Sequence, residues 1–307
     1  MKFIILDTFH ESLASMLVEA GHECVDFSEK SEGQIFEAMK DAEGVLLRGR
    51  IPIRAELINR SAKLKLIGRV GAGLEYIDVE YARSKGILVL SSPEGNRQAV
   101  AEHALAMLLS LFNHIPKANE EVRRGIWDRK ANEGIELQGK TVGIIGHGNT
   151  GAAFARVVSG FGVKVLAYDK YKAGFENEST MHQVFEEADV VSIHLPLASE
   201  TLQLVSNDWL KQFAKPIYLI NTSRGKILNT ENLLDSIDDG MVLGACLDVL
   251  EFETENLKMP PLDELPDTAR RLMSSSRVLL SPHVAGITVQ SYEKLSRVLA
   301  EKILSSI

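Results

Sequence analysis

The sequence predicts an α/β fold made of two doubly wound units, each built on a parallel sheet. Short apolar runs alternate with longer helical patterns through most of the chain, as they do in successive βαβ units. This alternation stops at "SSPEGN" (91–96), where Pro93 and Gly95 break it, and it restarts at Thr141. A glycine-rich turn follows the first strand of the second unit. We therefore expect two α/β units, of which the second carries that turn.

The first unit contains four apolar runs of the length typical of buried parallel strands. The runs lie at 2–6, 44–47, 64–68 and 87–90, and the helical patterns between them lie at 11–20, 31–39, 54–60 and 78–85.

A long helix is predicted over 97–115, where the sequence is apolar on nearly every face. A helix of this kind is buried, either in a core or partly against another subunit. It is expected to cross from the first unit to the second.

The second unit repeats the alternation with six strand-like runs. They lie at 141–145, 164–168, 189–195, 217–222, 241–249 and 277–283, and an amphipathic helix over roughly 287–305 closes the chain.

Composition excludes several classes of protein. The net charge of −8 disfavours binding to the backbone of a nucleic acid. No run of eighteen apolar residues predicts a membrane span, and the first residues lack the features of a signal peptide. Cys24 and Cys246 lie in apolar surroundings and are interpreted as reduced core residues of a cytoplasmic protein. No metal site is predicted.

The glycine turn "GHGNTG" has the G-x-G-x-x-G spacing of a Rossmann-like dinucleotide-binding unit. Gly146 permits a tight turn after the strand, Gly148 lets a pyrophosphate approach the backbone, and Gly151 lets helix and strand pack closely. The free amides at the helix start, those of Asn149 and Thr150, are then expected to face the phosphates.

The strand after this helix ends at Asp169, 23 residues beyond Gly146. A carboxylate there accepts hydrogen bonds from the ribose hydroxyls and repels the additional phosphate of NADP, which favours NAD. The alternative is a glycine turn without a cofactor. A second glycine stretch, "GAGLEY" (71–76), lacks the third glycine, and its amides suit a small anion instead.

Three strand ends of the second unit carry unusual polar residues, of the types that a nicotinamide enzyme oxidising a hydroxy acid would need. Arg224 supplies a planar cation for a carboxylate, and His283 supplies a group that exchanges protons near neutral pH. The acidic residues between them are candidates to orient the imidazole: Asp248, Glu251, Glu253 and Glu255. A surface ion pair, a capped loop histidine and a solvated acidic loop are the alternatives for each residue alone.

These residues resemble those of the D-2-hydroxyacid dehydrogenases, most closely the phosphoglycerate dehydrogenase branch. The similar stretches cover most of the chain beyond residue 44 in the same order, and they are "GRVGAGLEYIDVEYARSKGILVLSSPEGN" (68–96), "VAEHALAMLL" (100–109), "GIWDRK" (125–130), the glycine turn, "HLPL" (194–197), "NTSRGKI" (221–227), "LDV" (247–249) and "SPHVAG" (281–286).

The resemblance implies that a cofactor domain over 98–282 is inserted into a discontinuous substrate domain over 1–97 and 283–307. It further implies an active site in the cleft between the domains and a homodimer joined through the cofactor domain. The chain is expected to be a short form without the C-terminal regulatory domain of some relatives.

Roles in the site also follow from the resemblance. Arg224 holds the substrate carboxylate, and Glu253 pairs with His283, which exchanges the proton; Glu251 is an alternative because Thr254 stands where the family has proline. The backbone at Gly71 and Ala72 would cradle the carboxylate. The remaining residues implied to contact the cofactor are Asp248 at the nicotinamide, with His194, Pro196 and Thr222 along the cleft.

Arginines at Arg48, Arg69 and Arg129 lie at places matching the phosphate site of phosphoglycerate-type members, and Arg50 adds another cation. They favour oxidation of 3-phosphoglycerate to 3-phosphohydroxypyruvate, the first step of serine synthesis. The alternatives are a glyoxylate or hydroxypyruvate reductase and a cofactor-sensing, corepressor-like binding protein. In the glycine stretch that begins at Gly71, Glu75 and Tyr76 replace the family's Asp-Asn pair.

Overall fold

The structure, a computed structural model, describes residues 1–254 and 258–307. The chain forms two compact units, one of residues 1–97 and 287–307 and the other of residues 98–286. Along the chain, the second unit therefore interrupts the first. The second boundary predicted from the sequence lies after Pro282, whereas His283 belongs to the second unit of the structure.

The elements up to the boundary at residue 97 are β1 (Lys2–Ile5), α1 (Ser12–Glu19), β2 (Glu23–Asp26), α2 (Glu32–Met39), β3 (Gly44–Leu47), α3 (Ala55–Ile58), β4 (Leu66–Arg69), α4 (Val79–Ser84) and β5 (Leu88–Ser91). Those that follow are α5 (Arg97–Phe112), α6 (Ile115–Arg123), β6 (Thr141–Ile145), α7 (Asn149–Ser159), β7 (Lys164–Tyr168), α8 (Met181–Glu187), β8 (Val190–Ile193), α9 (Asn207–Leu210), β9 (Ile217–Asn221), α10 (Thr230–Asp238), β10 (Val242–Leu247), α11 (Asp267–Ser274), β11 (Val278–Leu280) and α12 (Val289–Leu304).

The first unit is a five-stranded parallel sheet in the order β2-β1-β3-β4-β5. Its inner strands β1, β3 and β4 are almost entirely buried because helices cover both faces of the sheet. The helices α2, α3 and α4 pack on one face through Ile35, Met39, Leu57, Ile58 and Ala82. The helices α1 and α12 pack on the other face through Leu13, Leu17, Leu295, Leu299 and Ile303.

The second unit is a six-stranded parallel sheet in the order β11-β10-β9-β8-β6-β7. A parallel bridge between Ala167 and Glu178 adds a further chain segment beyond β7. The strand order reverses between β6 and β8, which is the switch point where open α/β sheets bind ligands. The helices α5 and α7 contribute to the core on one face, and α8 to α11 contribute to the core on the other.

Two predicted elements differ from the structure. The predicted helix over 97–115 ends at Phe112, because His114 adopts a left-handed conformation (φ 51°) and the separate helix α6 begins at Ile115. Strand β2 was not predicted, because it is an edge strand of sequence "ECVD" that pairs with β1 alone and has no apolar run. The doubly wound α/β architecture of both units, each with a parallel sheet, is as predicted.

Among the helices in the described part of the chain, none combines the length and the apolar character needed to cross a membrane.

Candidate active site

The carboxyl ends of all six strands in the second unit carry residues that the sequence singles out. Gly146 follows β6, Asp169 follows β7 and His194 follows β8, all near the switch point. Thr222 and Arg224 follow β9, and Asp248 follows β10 and His283 follows β11. Because the strands are parallel, these residues share one edge of the sheet.

The glycine turn has the geometry that its spacing predicts. Gly146 has a φ of +96°, and a Cβ there would lie 2.5 Å from the carbonyl oxygen of His194. A Cβ on Gly151 would lie 2.0 Å from the carbonyl oxygen of Gly146, so only glycine allows this contact between helix and turn. A Cβ on Gly148 would meet no atom within 4 Å. The backbone at Gly148 is therefore open to a ligand, at the start of α7 where the first amides have no helical partner.

Asp169 is held in place by the backbone around the glycine turn. Its carboxylate accepts hydrogen bonds from the amides of His147 (2.8 Å), Tyr171 (2.9 Å) and Lys172 (3.0 Å). Burial opposes the charge, but these three amides and the ammonium of Lys172 outweigh it and lower the pKa of Asp169. The carboxylate is thus ionised and fixed at the end of β7.

His194 is a buried imidazole behind the turn. Its Nε2 lies 2.8 Å from the hydroxyl of Ser192, and its Nδ1 lies 3.3 Å from the hydroxyl of Thr150 on α7. Burial lowers the pKa of His194 to about 3, so the ring is neutral at physiological pH. It joins β8 to the start of α7. Pro196, two residues further on, is exposed, and its carbonyl accepts a hydrogen bond from Thr201.

Thr222 provides an independent indication of a ligand. Its hydroxyl oxygen is buried and has no hydrogen-bond partner among the described residues. Buried polar groups are nearly always paired, so the hydroxyl of Thr222 is available to a ligand at this strand end. Together with the open backbone at Gly148 and the fixed carboxylate of Asp169, this edge fits a dinucleotide.

The structure brings His283 and Glu253 together. Nδ1 of His283 lies 2.6 Å from Oε2 of Glu253, and the other carboxylate oxygen accepts the amide of Leu250. Both side chains are largely buried. Nε2 of His283 makes no hydrogen bond to any residue that the structure describes. This nitrogen is therefore the one that can exchange a proton with a ligand.

Glu251, the alternative partner, is bound elsewhere. Its carboxylate accepts hydrogen bonds from the amide of Thr230 (2.9 Å) and the side chain of Gln203 (3.3 Å). The remaining acidic candidate, Glu255, lies outside the described residues. Of the described glutamates, Glu253 is the one that contacts His283.

Arg224 lies at the end of β9, where the loops after β9 and β10 touch. A Cβ on Gly225 would lie 2.0 Å from the carbonyl oxygen of Leu250, so glycine is required for this approach. The side-chain Nδ2 of Asn221 donates to the carbonyl oxygen of Arg224, and Nη1 of Arg224 donates to the carbonyl oxygen of Ser223. These contacts therefore fix the loop that carries the guanidinium of Arg224.

Asp248 is 1% exposed and holds the segment that carries His283. Its two carboxylate oxygens accept hydrogen bonds from Ser281, Val284 and Ala285. The predicted contact of Asp248 with nicotinamide stays a prediction. The sequence does not predict the network around this carboxylate, which includes His103 of α5. The one sequence signal of His103 is an imidazole in a largely apolar helix.

In the first unit, Arg69 is 8% exposed and bound to its own sheet edge. Its guanidinium donates to the carbonyl oxygens of Arg48 (3.1 Å) and Gly73 and lies 5.5 Å from the ring centre of Tyr76. Arg50 likewise donates to main-chain carbonyls, those of residues 27, 28 and 30. These two arginines stabilise loops of the first unit.

The loop after β3 is also held by Asp7, which sequence analysis did not single out. Its carboxylate accepts the amides of Arg48 (2.6 Å), Gly49 (3.0 Å) and Arg50 (3.2 Å). The guanidinium of Arg48 stacks over the ring of Tyr292, 4.4 Å from its centre. It makes no hydrogen bond within the described parts of the chain, in contrast to that of Arg50.

The other residues predicted to contact the substrate are Gly71 and Ala72 in the first unit and Arg129 in the second. The amide of Gly71 donates to the hydroxyl of Ser92 (3.3 Å), whereas the neighbouring amide of Ala72 has no hydrogen bond to a described residue. Arg129 is exposed in the second unit, two residues after the exposed Trp127. Their roles toward a substrate stay predictions.

Comparison with known proteins agrees with this chemistry. Residues 105–285 match the family model of the NAD binding domain of D-isomer specific 2-hydroxyacid dehydrogenases. The chain is 31% identical over 310 residues to a D-3-phosphoglycerate dehydrogenase of Bacillus subtilis. The matched region covers 99% of this chain and 56% of that protein. The chain thus spans about half the length of the phosphoglycerate dehydrogenases it matches.

Two further similarities cover nearly the whole of the other protein. The chain is 33% identical over 277 residues to a hydroxypyruvate reductase of Thermotoga maritima, covering 89% of this chain and 88% of that protein. It is also similar to the crystal structure of D-lactate dehydrogenase from Aquifex aeolicus complexed with NAD and lactic acid. That similarity has a TM-score of 0.79 at 26% identity and covers 99% of this chain and 95% of the other.

Proposed function

This chain belongs to the family of D-isomer specific 2-hydroxyacid dehydrogenases, and from that premise we propose that it interconverts a D-2-hydroxy acid and the corresponding 2-keto acid with NAD. The observation that carries the proposal is the pair of His283 and Glu253, 2.6 Å apart at the same sheet edge as the glycine turn. This pair supplies the acid–base chemistry that the reaction needs.

The proton and the hydride are delivered separately. In the direction of keto-acid reduction, His283 starts as imidazolium, and Glu253 stabilises that charge through Nδ1. NADH, when bound at the glycine turn, would supply the hydride that the carbonyl carbon takes up. The carbonyl oxygen takes the proton from Nε2 of His283, which leaves a neutral imidazole and the hydroxy acid. In the oxidation direction, Nε2 takes the hydroxyl proton.

Arg224 is the group that we assign to the substrate carboxylate. Its planar guanidinium can donate two parallel hydrogen bonds to the two oxygens, which fixes the orientation of the carbonyl beside it. The hydrogen bond from Asn221 and the close packing at Gly225 hold the loop that positions it.

The residues that would hold NAD belong to the family's NAD binding domain. Gly146, Gly148 and Gly151 with the amides at Asn149 and Thr150 would bind the pyrophosphate. Asp169 would bind the adenosine ribose. The unpaired hydroxyl of Thr222 supports a further contact with the cofactor, and His194 and Pro196 are assigned to the wall of the same site.

For the substrate we propose 3-phosphoglycerate, as in serine synthesis. The phosphoglycerate dehydrogenases among the relatives support it, and so does Arg48, whose guanidinium is bound only through its stacking on Tyr292 in the described chain. We assign the phosphate to Arg48 first. The amide of Ala72 is the better candidate for a carboxylate contact than that of Gly71, which Ser92 already binds.

Hydroxypyruvate is a second candidate, favoured by a specific observation. Arg69 and Arg50 are bound to main-chain carbonyls of the first unit, so two of the predicted cations have partners that a phosphate would have to displace. The 33% identity with a hydroxypyruvate reductase supports the same substrate.

Kinetics distinguish the two substrates. Initial rates of NADH oxidation would be measured with 3-phosphohydroxypyruvate and with hydroxypyruvate, for the wild type and for Arg48→Ala. If phosphate is bound by Arg48, the variant loses about tenfold in kcat/KM with the phosphorylated acid alone. Arg83→Ala, at an exposed arginine of α4, is the control. Equal losses with both acids would contradict the phosphate assignment, and no turnover of any 2-keto acid would contradict the proposed function.

We also propose that the chain acts as a homodimer in the cytoplasm. Four exposed apolar side chains support the dimer, all on α6 or just after it in the second unit: Ile115, Val122, Ile126 and Trp127. The free thiols of Cys24 and Cys246 are consistent with a reducing compartment.

A further inference from the structure

A chain of hydrogen bonds leads from α5 to the segment that carries His283. Nε2 of His103 lies 2.9 Å from the hydroxyl oxygen of Ser281, and that oxygen lies 2.6 Å from Oδ1 of Asp248. His103 and Ser281 are 178 residues apart in sequence. All three residues belong to the second unit.

The direction of these hydrogen bonds follows from chemistry. An ionised carboxylate can only accept, so the hydroxyl of Ser281 donates its proton to Asp248. The same hydroxyl must then accept from His103, whose Nε2 therefore carries a proton. Nε2 of His103 also lies 3.5 Å from Oδ1 of Asp248, so it faces the carboxylate directly as well. The chain of hydrogen bonds ends on a carboxylate that is 1% exposed.

Asp248 fixes the backbone at His283 and at the two residues that follow it. Its carbonyl oxygen accepts the amide of His283 (2.8 Å), Oδ1 accepts the amide of Val284 (2.9 Å), and Oδ2 accepts the amide of Ala285 (2.9 Å). Three successive amides thus bind one residue. No other residue of the described chain binds this segment in that way.

His283 needs such support because its backbone is unfavourable. It has a φ of 55°, in the left-handed region that residues other than glycine seldom adopt. A conformation of this kind persists only where the surroundings hold it. If the amides were released, the residue would relax toward ordinary backbone angles, and Nδ1 would move away from Glu253, which it now approaches to 2.6 Å.

We propose that His103 and Ser281 are positioning residues for the reaction. They hold the carboxylate of Asp248, which in turn holds the left-handed backbone of His283 and keeps its imidazole against Glu253. This inference rests on the proposed function in one respect, because the reacting imidazole is the one assigned there. The positions of the atoms themselves do not depend on the substrate.

The central test is Ser281→Ala compared with Ser281→Thr, which keeps the hydroxyl. For Ser281→Ala we expect kcat for keto-acid reduction to fall about 10- to 100-fold, since a small displacement of a reacting group has effects of that size. The KM for NADH should change less than about twofold, because the glycine turn is untouched. The midpoint of the kcat/KM profile against pH should move to lower pH as the imidazolium loses Glu253. Ser281→Thr should restore all three values.

A measurement without substrate separates this proposal from the proposed function. In the NMR spectrum, the proton on Nδ1 of His283 should give a downfield signal in the wild type, because the bond to Glu253 is short. Ser281→Ala should broaden or remove that signal, and Ser274→Ala, at an exposed serine of α11, should leave it unchanged. This result is expected even if no 2-keto acid is turned over.

His103 provides the second variant if Ser281→Ala does not fold. His103→Leu removes the donor and should weaken the same NMR signal, whereas His103→Gln retains an N–H group and should preserve it. An unchanged signal and an unchanged pH profile in Ser281→Ala would overturn the proposal. A loss of activity that Ser281→Thr does not restore, with the pH profile unmoved, would also overturn it.

Discussion

Nδ1 of His283 and Oε2 of Glu253 lie 2.6 Å apart, although 30 residues of chain separate them. The carboxylate is oriented by the amide of Leu250 and the imidazole by its backbone contacts with Asp248. A short contact between two largely buried groups, each held from behind, is the arrangement in which a carboxylate orients an imidazole and stabilises its protonated form.

Glu253→Gln should therefore weaken keto-acid reduction near neutral pH. The amide preserves the shape of the side chain but removes the charge that stabilises the imidazolium. We expect kcat/KM to fall about 100-fold at pH 7.5, within the range of general acid–base contributions. The midpoint of the pH profile should move to lower pH. Stopped-flow or steady-state NADH absorbance over pH 5–9 measures both.

Glu251→Gln is the matched control, since it lies two residues away and its carboxylate binds Thr230 and Gln203 instead. It should leave the pH profile in place. If both glutamine variants moved the profile equally, the assignment of Glu253 as the partner of His283 would be wrong.

The parts of the site that sequence predicts are those whose chemistry is local. The strand β6, the turn at Gly146 and the start of α7 are adjacent in sequence. Gly146 is required by its contact with the residue after the neighbouring strand β8, and Gly151 by its contact with the turn itself. The residues at the other strand ends could also be predicted to share an edge, because parallel strands leave no other arrangement.

The parts that sequence does not predict depend on partners far along the chain. Nothing near Ser281 indicates His103, and nothing near Arg69 indicates that its guanidinium binds the carbonyl oxygens of Arg48 and Gly73. The same holds for β2, whose pairing with β1 gives it a strand conformation without an apolar run. Residue type indicates what a side chain can bind, but only the fold decides which partner it has.

Asp169→Ala should relax the preference for NAD over NADP. The carboxylate is ionised and fixed by three amides, so it repels a ribose phosphate directly. We expect the ratio of kcat/KM for NAD to that for NADP to fall by about tenfold, equivalent to about 1.4 kcal/mol. Binding of NAD should weaken as well, because the hydrogen bond from the amide of His147 in the turn to the carboxylate of Asp169 is lost.

Asp189→Asn controls for the loss of a carboxylate that ties strands together. Asp189 accepts the amide of Thr141 (2.7 Å) at the opposite end of β6 and pairs with Lys215. The Asp189→Asn variant should have a lower melting temperature but the same ratio of kcat/KM for NAD to that for NADP. An unchanged ratio in Asp169→Ala would contradict the role of Asp169.

His194 should make the fold sensitive to acid. Its pKa is lowered by burial to about 3, whereas the unfolded chain binds the proton with an ordinary value near 6.5. The unfolded state therefore binds more protons between these values, so stability is lost as the pH falls below 6.5, by up to about 1.4 kcal/mol per pH unit. Urea unfolding at pH 7.5, 6 and 5 would measure this loss.

In His194→Gln, the unfolding free energy should depend less steeply on pH, by the contribution of about one proton, because the amide does not titrate. The variant should also be less stable at pH 7.5, since the contacts with Ser192 and Thr150 are altered. His182→Gln, at an exposed histidine of α8, should follow the wild type at every pH. The same pH slope in His194→Gln as in the wild type would show that the acid sensitivity has another source.

The exposed apolar residues at α6 should form the dimer contact. Trp127 is 79% exposed and Ile126 is 48% exposed, and α6 itself has no buried residue in the single chain. Aromatic residues in such patches are enriched at subunit interfaces.

Light scattering should give the wild type twice the chain mass of 33.8 kDa, and the double variant Ile126→Ser and Trp127→Ser the mass of one chain. Leu262→Ser, at another exposed apolar residue, should remain dimeric. A wild type that stays monomeric at about 100 μM, far above the Kd of a standard interface, or a double variant that stays dimeric, would assign no interface to this surface.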